Sequence, residues 1–228
     1  MPHPILKSRK WIFSLLGTTT LSSCVFLVPT QGVRDVHFQV NDTLQDVLPD
    51  HLLTTQQVPR TKWMSIPEAL KKAPNGSLIL ACSDKTIFYK PWGPCSHITR
   101  KWDDKNLIEA REFFMKNGFH PLSRLYDYHA VVILDDGTTP EQLRTMGFRV
   151  RQLQDTYYDF TGFPDTYYCS TYQNELARYA GMPEPIPFSK YWNAYVPADV
   201  LLNPAVKVRY VGVQNPRPTV KPGPKAEG

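Results

Sequence analysis

The chain has 228 residues, of which 42% are apolar and 12 are glycine, proportions that fit a packed core and exclude both a wholly disordered chain and a multi-span membrane protein. Its formal net charge of +5 comes largely from Lys7, Arg9 and Lys10, inside a first stretch of 23 residues that holds no acid. The remainder sets 23 basic against 21 acidic residues with no concentrated basic stripe, which removes the case for a nucleic-acid partner.

The N-terminus reads as an address. Three cations precede an apolar stretch from Trp11 to Leu21, and small residues follow, which is the layout of a secretory signal. Leu21-Ser22-Ser23-Cys24 also resembles a bacterial lipobox, in which Cys24 becomes the lipidated first residue after cleavage. The alternative is an uncleaved anchor from Trp11 to about Pro29, barely long enough for a bilayer and interrupted by Thr18, Thr19 and Thr20. Either way the body of the protein is expected outside the cytoplasm and beside a membrane, in the bacterial cell envelope. The expected organisation is a signal peptide over 1–23, a tether and N-terminal wrap over 24–62, a folded domain over 63–213 and a Pro-rich tail over 214–228.

Residues 25 to about 62 show no sustained period. Ser65–Lys72 predicts a short helix with Pro67 at its first position. Asn75-Gly76 turns the chain into a buried strand over Ser77–Cys82, and Thr86–Tyr89 is a second short apolar run. Ser96–Trp102 alternates, Asp103–Asn106 has turn chemistry, and Leu107–Ala110 returns as its antiparallel partner. A competing reading makes Leu107–Phe119 an amphipathic helix. Tyr128–Leu134 is the clearest strand, closed by Asp135-Asp136-Gly137. Thr139 and Pro140 open a helix that carries Leu143 and Met146 inward. After Tyr167–Ser170 comes another helix, with Tyr172, Leu176, Tyr179 and Ala180 on one face and Gly181 at its end. Val206–Gly212 is a last alternating strand, and the prolines at 216, 218, 222 and 224 predict an extended tail. There are no internal repeats, and the class is α+β.

Four cysteines are present. With Cys24 taken by lipid, Cys82, Cys95 and Cys169 remain, an odd number that in an oxidising compartment implies one bridge and one free thiol. Cys82 and Cys95 are near enough in sequence to pair, which leaves Cys169 free. The alternative is three buried free cysteines.

Cys169 carries the sharpest chemical signal. It lies where a loop meets a helix, and Ser170 with Gln173 fits a capping box. A thiol there feels the positive end of the helix macrodipole, which favours the thiolate. The backbone N–H groups of Cys169 and Ser170 precede the helical ladder and can hold an oxyanion. Such a cysteine needs a base. Of six histidines, His3 is in the signal, His37 and His51 are in the wrap, His120 is in a loop, and His97 and His129 lie on predicted strands. A hairpin centred near residue 103 places His97 directly across from Glu109, so that a carboxylate fixes the imidazole tautomer and leaves the other nitrogen for a thiol. If the helical reading of Leu107–Phe119 holds instead, Glu109 is merely solvated. The cysteines and histidines have no metal-ligand spacing, and no glycine-rich phosphate loop is present, so neither a metal nor another cofactor is expected.

Several motifs occur in an order that resembles the circularly permuted papain-like proteins of the NlpC superfamily, the YiiX/YaeF type. Gly76–Leu80 resembles the G-D-L-I-F strand of that group, Cys95–Ile98 its Y-S-H-V histidine motif and Leu107–Ala110 its V-x-E-A. Thr138–Gln142 resembles its helix start, Tyr157–Phe160 its Y-D-x-x-F, Tyr167–Ser170 its Y-Y-C-S and Val196–Leu201 its P-x-D-L segment. The resemblance runs from about Asn75 to Val213. It implies a permuted papain-like domain, an antiparallel sheet packed against helices with the nucleophile at a helix N-terminus. Residue by residue it makes Cys169 the nucleophile, His97 the base and Glu109 the third polar group, and it leaves His129 as a core or edge residue. The group's Asp after Gly is Ser77 here, and its Glu after Cys-Ser is Thr171, departures that bear on substrate preference. The implied function is a membrane-tethered cysteine peptidase or amidase, held through a lipid anchor, that cleaves a cell-wall peptide, another amide or a lipid acyl group, with acyl transfer as a variant. Tyr157, Tyr158, Tyr167, Tyr168, Tyr172 and Trp192 would suit an apolar acyl group, a stacked sugar, or simply a core. The alternative is a non-catalytic envelope lipoprotein that uses the same fold as a binding or assembly module.

Overall fold

The short apolar runs find their hydrogen-bond partners in one mixed sheet. A computed structural model describes residues 37–38, 52–53, 63–82, 95–111, 115–159, 166–190 and 192–214. The N-terminal address with Cys24, the Thr86–Tyr89 run and the Pro-rich tail lie outside the described residues. Strands β1 (His37–Phe38) and β2 (Leu52–Leu53) form a small parallel pair. The main sheet contains β3 (Trp63–Ser65), β4 (Leu78–Cys82), β5 (His97–Lys101), β6 (Asn106–Glu109), β7 (Gly118–Pro121), β8 (Ala130–Asp135) and β9 (Lys207–Val213). Their order across it is β3-β9-β8-β4-β5-β6-β7. Among the described residues three α-helices complete the fold: α1 (Ile66–Lys72), α2 (Pro140–Leu153) and α3 (Cys169–Tyr179).

The expectation of an antiparallel sheet needs one correction. β3 runs parallel to β9, with Trp63 opposite Val211. No tight turn joins these two strands, since almost the whole domain separates them in sequence, so nothing forces the antiparallel arrangement that a hairpin would. Every other neighbouring pair in the sheet is antiparallel.

Side-chain alternation divides the sheet into two faces. Leu78, Leu80, Ile98, Val132, Leu134 and Val211 share one core with Tyr168 and Cys169 of the α3 start. Ile79, Ala81, Leu107, Val131 and Ile133 point the other way and pack with Ile66, Ala69 and Leu70 of α1. The α1 helix lies so close that a Cβ at Gly212 would meet Val131 Cγ2 at 2.8 Å and Ala69 Cβ at 2.9 Å. At the β6 end, Ile108 and Ala110 join Leu143, Met146 and Val150 of α2 and Tyr172 and Leu176 of α3. The inward placement of Leu143 and Met146 is therefore as expected. Tyr179 is not inward: as the last residue of α3 it is 43% exposed, with the Arg149 guanidinium 5.3 Å from its ring centre.

Local chemistry accounts for the element ends. Ser65 Oγ accepts from Glu68 N at 3.4 Å and caps α1, so the helix begins at Ile66 and Pro67 takes its second position rather than its first. Thr139 and Gln142 form a reciprocal capping box on α2. Gly76 (φ +91°) supplies the left-handed turn into β4. The helical reading of Leu107–Phe119 is overturned: its two ends belong to β6 and β7, and a 3-10 turn follows over Leu122–Asp127. The helical pattern there is produced by two successive strands with Gly118 (φ +149°) at the start of the second.

The alternative of three free cysteines is also overturned. Cys82, the last residue of β4, is bonded to Cys95, two residues before β5, and Cys169 is a free buried thiol. The bridge closes the β4–β5 connection at the point where β5 delivers His97. By restricting the unfolded chain, it also stabilises that corner.

Candidate active site

Two adjacent strands build the first half of the site. Arg100 stands opposite Ile108 and Lys101 opposite Leu107. Continued by one step, this register sets Thr99, not His97, across from Glu109. The expected hairpin is thus offset by two residues and Glu109 is the diagonal neighbour of His97. A shift of two keeps both side chains on the same face, because strand alternation has period two. His97 Nε2 and Glu109 Oε2 are 2.8 Å apart, with the residues only 6% and 1% exposed.

Burial alone would push the Glu109 carboxyl up. The hydrogen bond from His97 and the charges of His97, His120 and Arg111 outweigh it and hold the group below its ordinary range. An ionised carboxylate only accepts, so Nε2 must carry the proton and donate to it. This leaves Nδ1 as the free ring nitrogen. For His97, burial works against the charged form. The charge interaction with Tyr128, the hydrogen bond with the Cys169 side chain and the pairing with Glu109 together exceed it, and the imidazole is raised well above 6.5. The Tyr128 ring stacks on the imidazole, with centroids 6.3 Å apart and planes 20° from parallel.

The third residue arrives from α3. Cys169 is its first helical residue and is 1% exposed, within hydrogen-bonding reach of the His97 ring. Its Sγ also points at Ser96 O, 3.8 Å away at the start of β5. The thiol therefore meets the imidazole at the end of the strand. The first intrahelical bond runs from Tyr172 N to Tyr168 O at 2.9 Å, so the N–H groups of Cys169 and Ser170 precede the helical ladder.

The expected Ser170–Gln173 capping box is absent. The helix starts two residues earlier than that box requires, with Tyr168 at its N-cap, so Ser170 is already inside it, with its hydroxyl buried and unpartnered among the described residues. Thr171 Oγ1 supplies the cap instead and accepts from Tyr168 N at 3.0 Å. Gln173 faces the core, where its Nε2 donates to Ile108 O at 2.9 Å. Next to the thiol, burial pushes the Tyr168 phenol up to about 12, and its hydroxyl accepts from Tyr195 N at 2.7 Å.

His97, Glu109 and Cys169 are thus brought together, and the other candidates are not. His129, expected in the core or at an edge, is exposed just before β8 and so is not in the core; its backbone N–H donates to Cys82 O at 2.9 Å. His120 belongs to β7, where Nε2 donates to Lys116 O and Nδ1 accepts from Arg124. Ser77 stands at the opposite end of β4 from the residue paired with His97. Of the aromatic set, Tyr172 is fully buried against Tyr167 and Tyr157 is 51% exposed. His3, His51 and Cys24 lie outside the described residues, as does the side chain of His37.

Three participants escaped the sequence reading: Tyr128 over the imidazole, the Ser96 carbonyl and Gln173. A stacking ring and a carbonyl carry no spacing signal. Gln173 was visible only as part of a motif that the helix start makes irrelevant. Among the described residues no group of three His, Cys, Asp or Glu side chains is arranged to hold a metal ion, and no helix is long and apolar enough to cross a membrane. Compared with known proteins, the sequence matches no family model and no curated protein.

Proposed function

We propose that this protein is a thiol hydrolase with a permuted papain-like domain of the NlpC superfamily type, acting on an amide or ester through an acyl-enzyme. One observation carries the reading: a free thiol at the first position of a helix lies within reach of an imidazole whose other nitrogen is held by a buried carboxylate. His97 takes the Cys169 proton at Nδ1, and the sulfur attacks the substrate carbonyl carbon. The developing oxyanion is held by the N–H groups of Cys169 and Ser170. The imidazolium then gives its proton to the departing amine or alcohol. In the second half, His97 deprotonates water, the hydroxide attacks the thioester and the carboxylic acid leaves. Glu109 keeps the ring in one tautomer and favours its charged form. The raised imidazole supports the scheme, since the proton must rest on His97 while the sulfur attacks.

The sequence features at the N-terminus extend the proposal to location and substrate. A lipid on Cys24 would hold the domain beside a membrane in the bacterial envelope, within range of cell-wall peptides and acylated lipids. A second reading, a binding or assembly module without catalysis, is favoured by one observation: the thiol is 1% exposed.

Alkylation separates the two. In a reactive pair, iodoacetamide modifies Cys169 below about pH 8, and His97→Ala moves that pH dependence upward. The opening needed for access is common to both proteins and cancels in the comparison. Equally slow modification of wild type and His97→Ala, with the same pH dependence, would leave the module reading standing.

A further inference from the structure

The α3 helix has to hold its first residue against two strands at once. Apolar packing brings it to the sheet but is non-directional, and cannot alone set a sulfur to within a fraction of an ångström of a ring nitrogen. A directional tie exists one turn along. Gln173 follows Cys169 by four residues and so projects from the same side of α3. It is 0% exposed. Its Nε2 donates to Ile108 O at 2.9 Å, in the residue adjoining Glu109 on β6. Its Oε1 accepts from Arg100 Nε at 3.4 Å, three residues after His97 on β5. Arg100 is itself fixed, with Nη2 on Asp136 Oδ2 at 2.7 Å and Nη1 on Gly76 O at 2.7 Å. One amide therefore connects the element that bears the thiol to both elements that bear its partners.

We propose that Gln173 is a positioning residue, an amide strut that sets the place of Cys169 relative to the His97–Glu109 pair. This rests on the thiol-hydrolase reading. The neighbouring Asn174 provides the contrast. It is also a buried amide of α3, but it is tied to Ile186 O and Ile186 N, in the chain after the helix rather than in the strands. Loss of either amide removes buried hydrogen bonds and lowers stability. Only the loss of Gln173 should change the reactivity of the thiol.

The test uses the full chain with its disulfide intact. The rate of iodoacetamide addition, read from the mass of the Cys169 peptide, is followed against pH together with the urea unfolding midpoint. The variants are Gln173→Met, which removes both bonds, Gln173→Glu, which keeps the acceptor for Arg100 but no donor for Ile108 O, Asn174→Ala, and His97→Ala. The expected result is an upward displacement of the Cys169 pH profile by about one unit or more in either Gln173 variant, toward that of His97→Ala, while Asn174→Ala unfolds earlier with the wild-type profile. Gln173→Glu keeps the test open if Gln173→Met does not fold. Wild-type profiles in both Gln173 variants, beside a displaced His97→Ala profile, overturn the strut and leave the hydrolase reading intact. Equal displacement in Asn174→Ala also overturns it, by making the effect one of general loosening. An undisplaced His97→Ala profile overturns both.

Discussion

Strand β5 is buried from end to end, yet its two ends treat polar groups in opposite ways. At the far end, Arg100 is 0% exposed and fully engaged, bonding Gly76 O, Thr138 Oγ1, Gln173 and both oxygens of Asp136. Lys101 beside it donates to Leu70 O and Ala73 O at the end of α1 and to Asp104. At the near end, Glu109 has one oxygen on His97, while Oε1 finds no hydrogen-bond partner among the described residues. Among the described residues the thiol there has a 3.8 Å contact with Ser96 O and the imidazole as its polar partners. A buried charge with every donor occupied stiffens a fold, whereas one with spare capacity keeps an exchangeable proton. The same strand thus has an end whose polar groups are tied down and an end with hydrogen-bonding capacity to spare.

Breaking the far end should have the largest effect. Arg100→Met leaves Asp136 buried without its partner and should cost about 3–5 kcal/mol, read as a lower urea midpoint. Breaking the near end should act on chemistry more than on stability. Glu109→Gln keeps an acceptor for Nε2 but removes the charge that favours the imidazolium. A loss of about one unit from the His97 pKa reduces the ion-paired population about tenfold, so Cys169 alkylation at pH 6 should slow by about that factor. An unchanged rate would mean that Glu109 only packs.

The pH dependence of stability sharpens the contrast. His97 is raised above 6.5, so its contribution is complete below that pH and is lost as pH rises through the folded-state value. Glu109 is lowered from 4.5, and burial is again the opposing influence, so its contribution is present above 4.5 and is lost on acidification. The urea midpoint should therefore be highest between these two values. Asp136, also held low against its burial by Arg100, shares the acid limb. The alkaline fall belongs to His97. Glu109→Gln should make that fall shallower and also remove Glu109's own part of the acid limb, leaving the part that Asp136 carries.

Much of this is legible in the amino-acid sequence. Short apolar runs predict β4 and β8, and alternation predicts β9, within a residue or two, while Pro67 and the Thr139–Pro140 pair mark two helix starts, because capping and hydrophobic pattern are local effects. The His97–Glu109 pairing was legible for a more robust reason: an error of two in hairpin register preserves the face. The Arg100 and Lys101 anchors were not legible, since a cation in an alternating strand ordinarily marks a solvated position, and only the tertiary acceptors at Gly76, Asp136 and the end of α1 make burial tolerable. The β7 strand was missed because Leu107–Phe119 satisfies a helical period about as well as two short strands. Disulfide pairing stayed open because proximity in sequence does not establish geometry.

The smallest expected effect concerns the start of α3, where the sequence suggested the wrong cap. Thr171 Oγ1 accepts from Tyr168 N and donates to Tyr168 O at 3.1 Å, holding the residue before Cys169 in place. Ser170 Oγ makes no such bond. Thr171→Ala should cost about 1 kcal/mol, the usual loss on removing a helix cap, whereas Ser170→Ala should be nearly neutral because its buried hydroxyl has no partner to lose. The ranking of the two urea midpoints is the discriminating quantity. If Ser170→Ala were the more destabilising, Ser170 would be the cap and α3 would begin two residues later, Cys169 would lie outside the helix, and its N–H would no longer belong to the first turn on which the proposed oxyanion site rests.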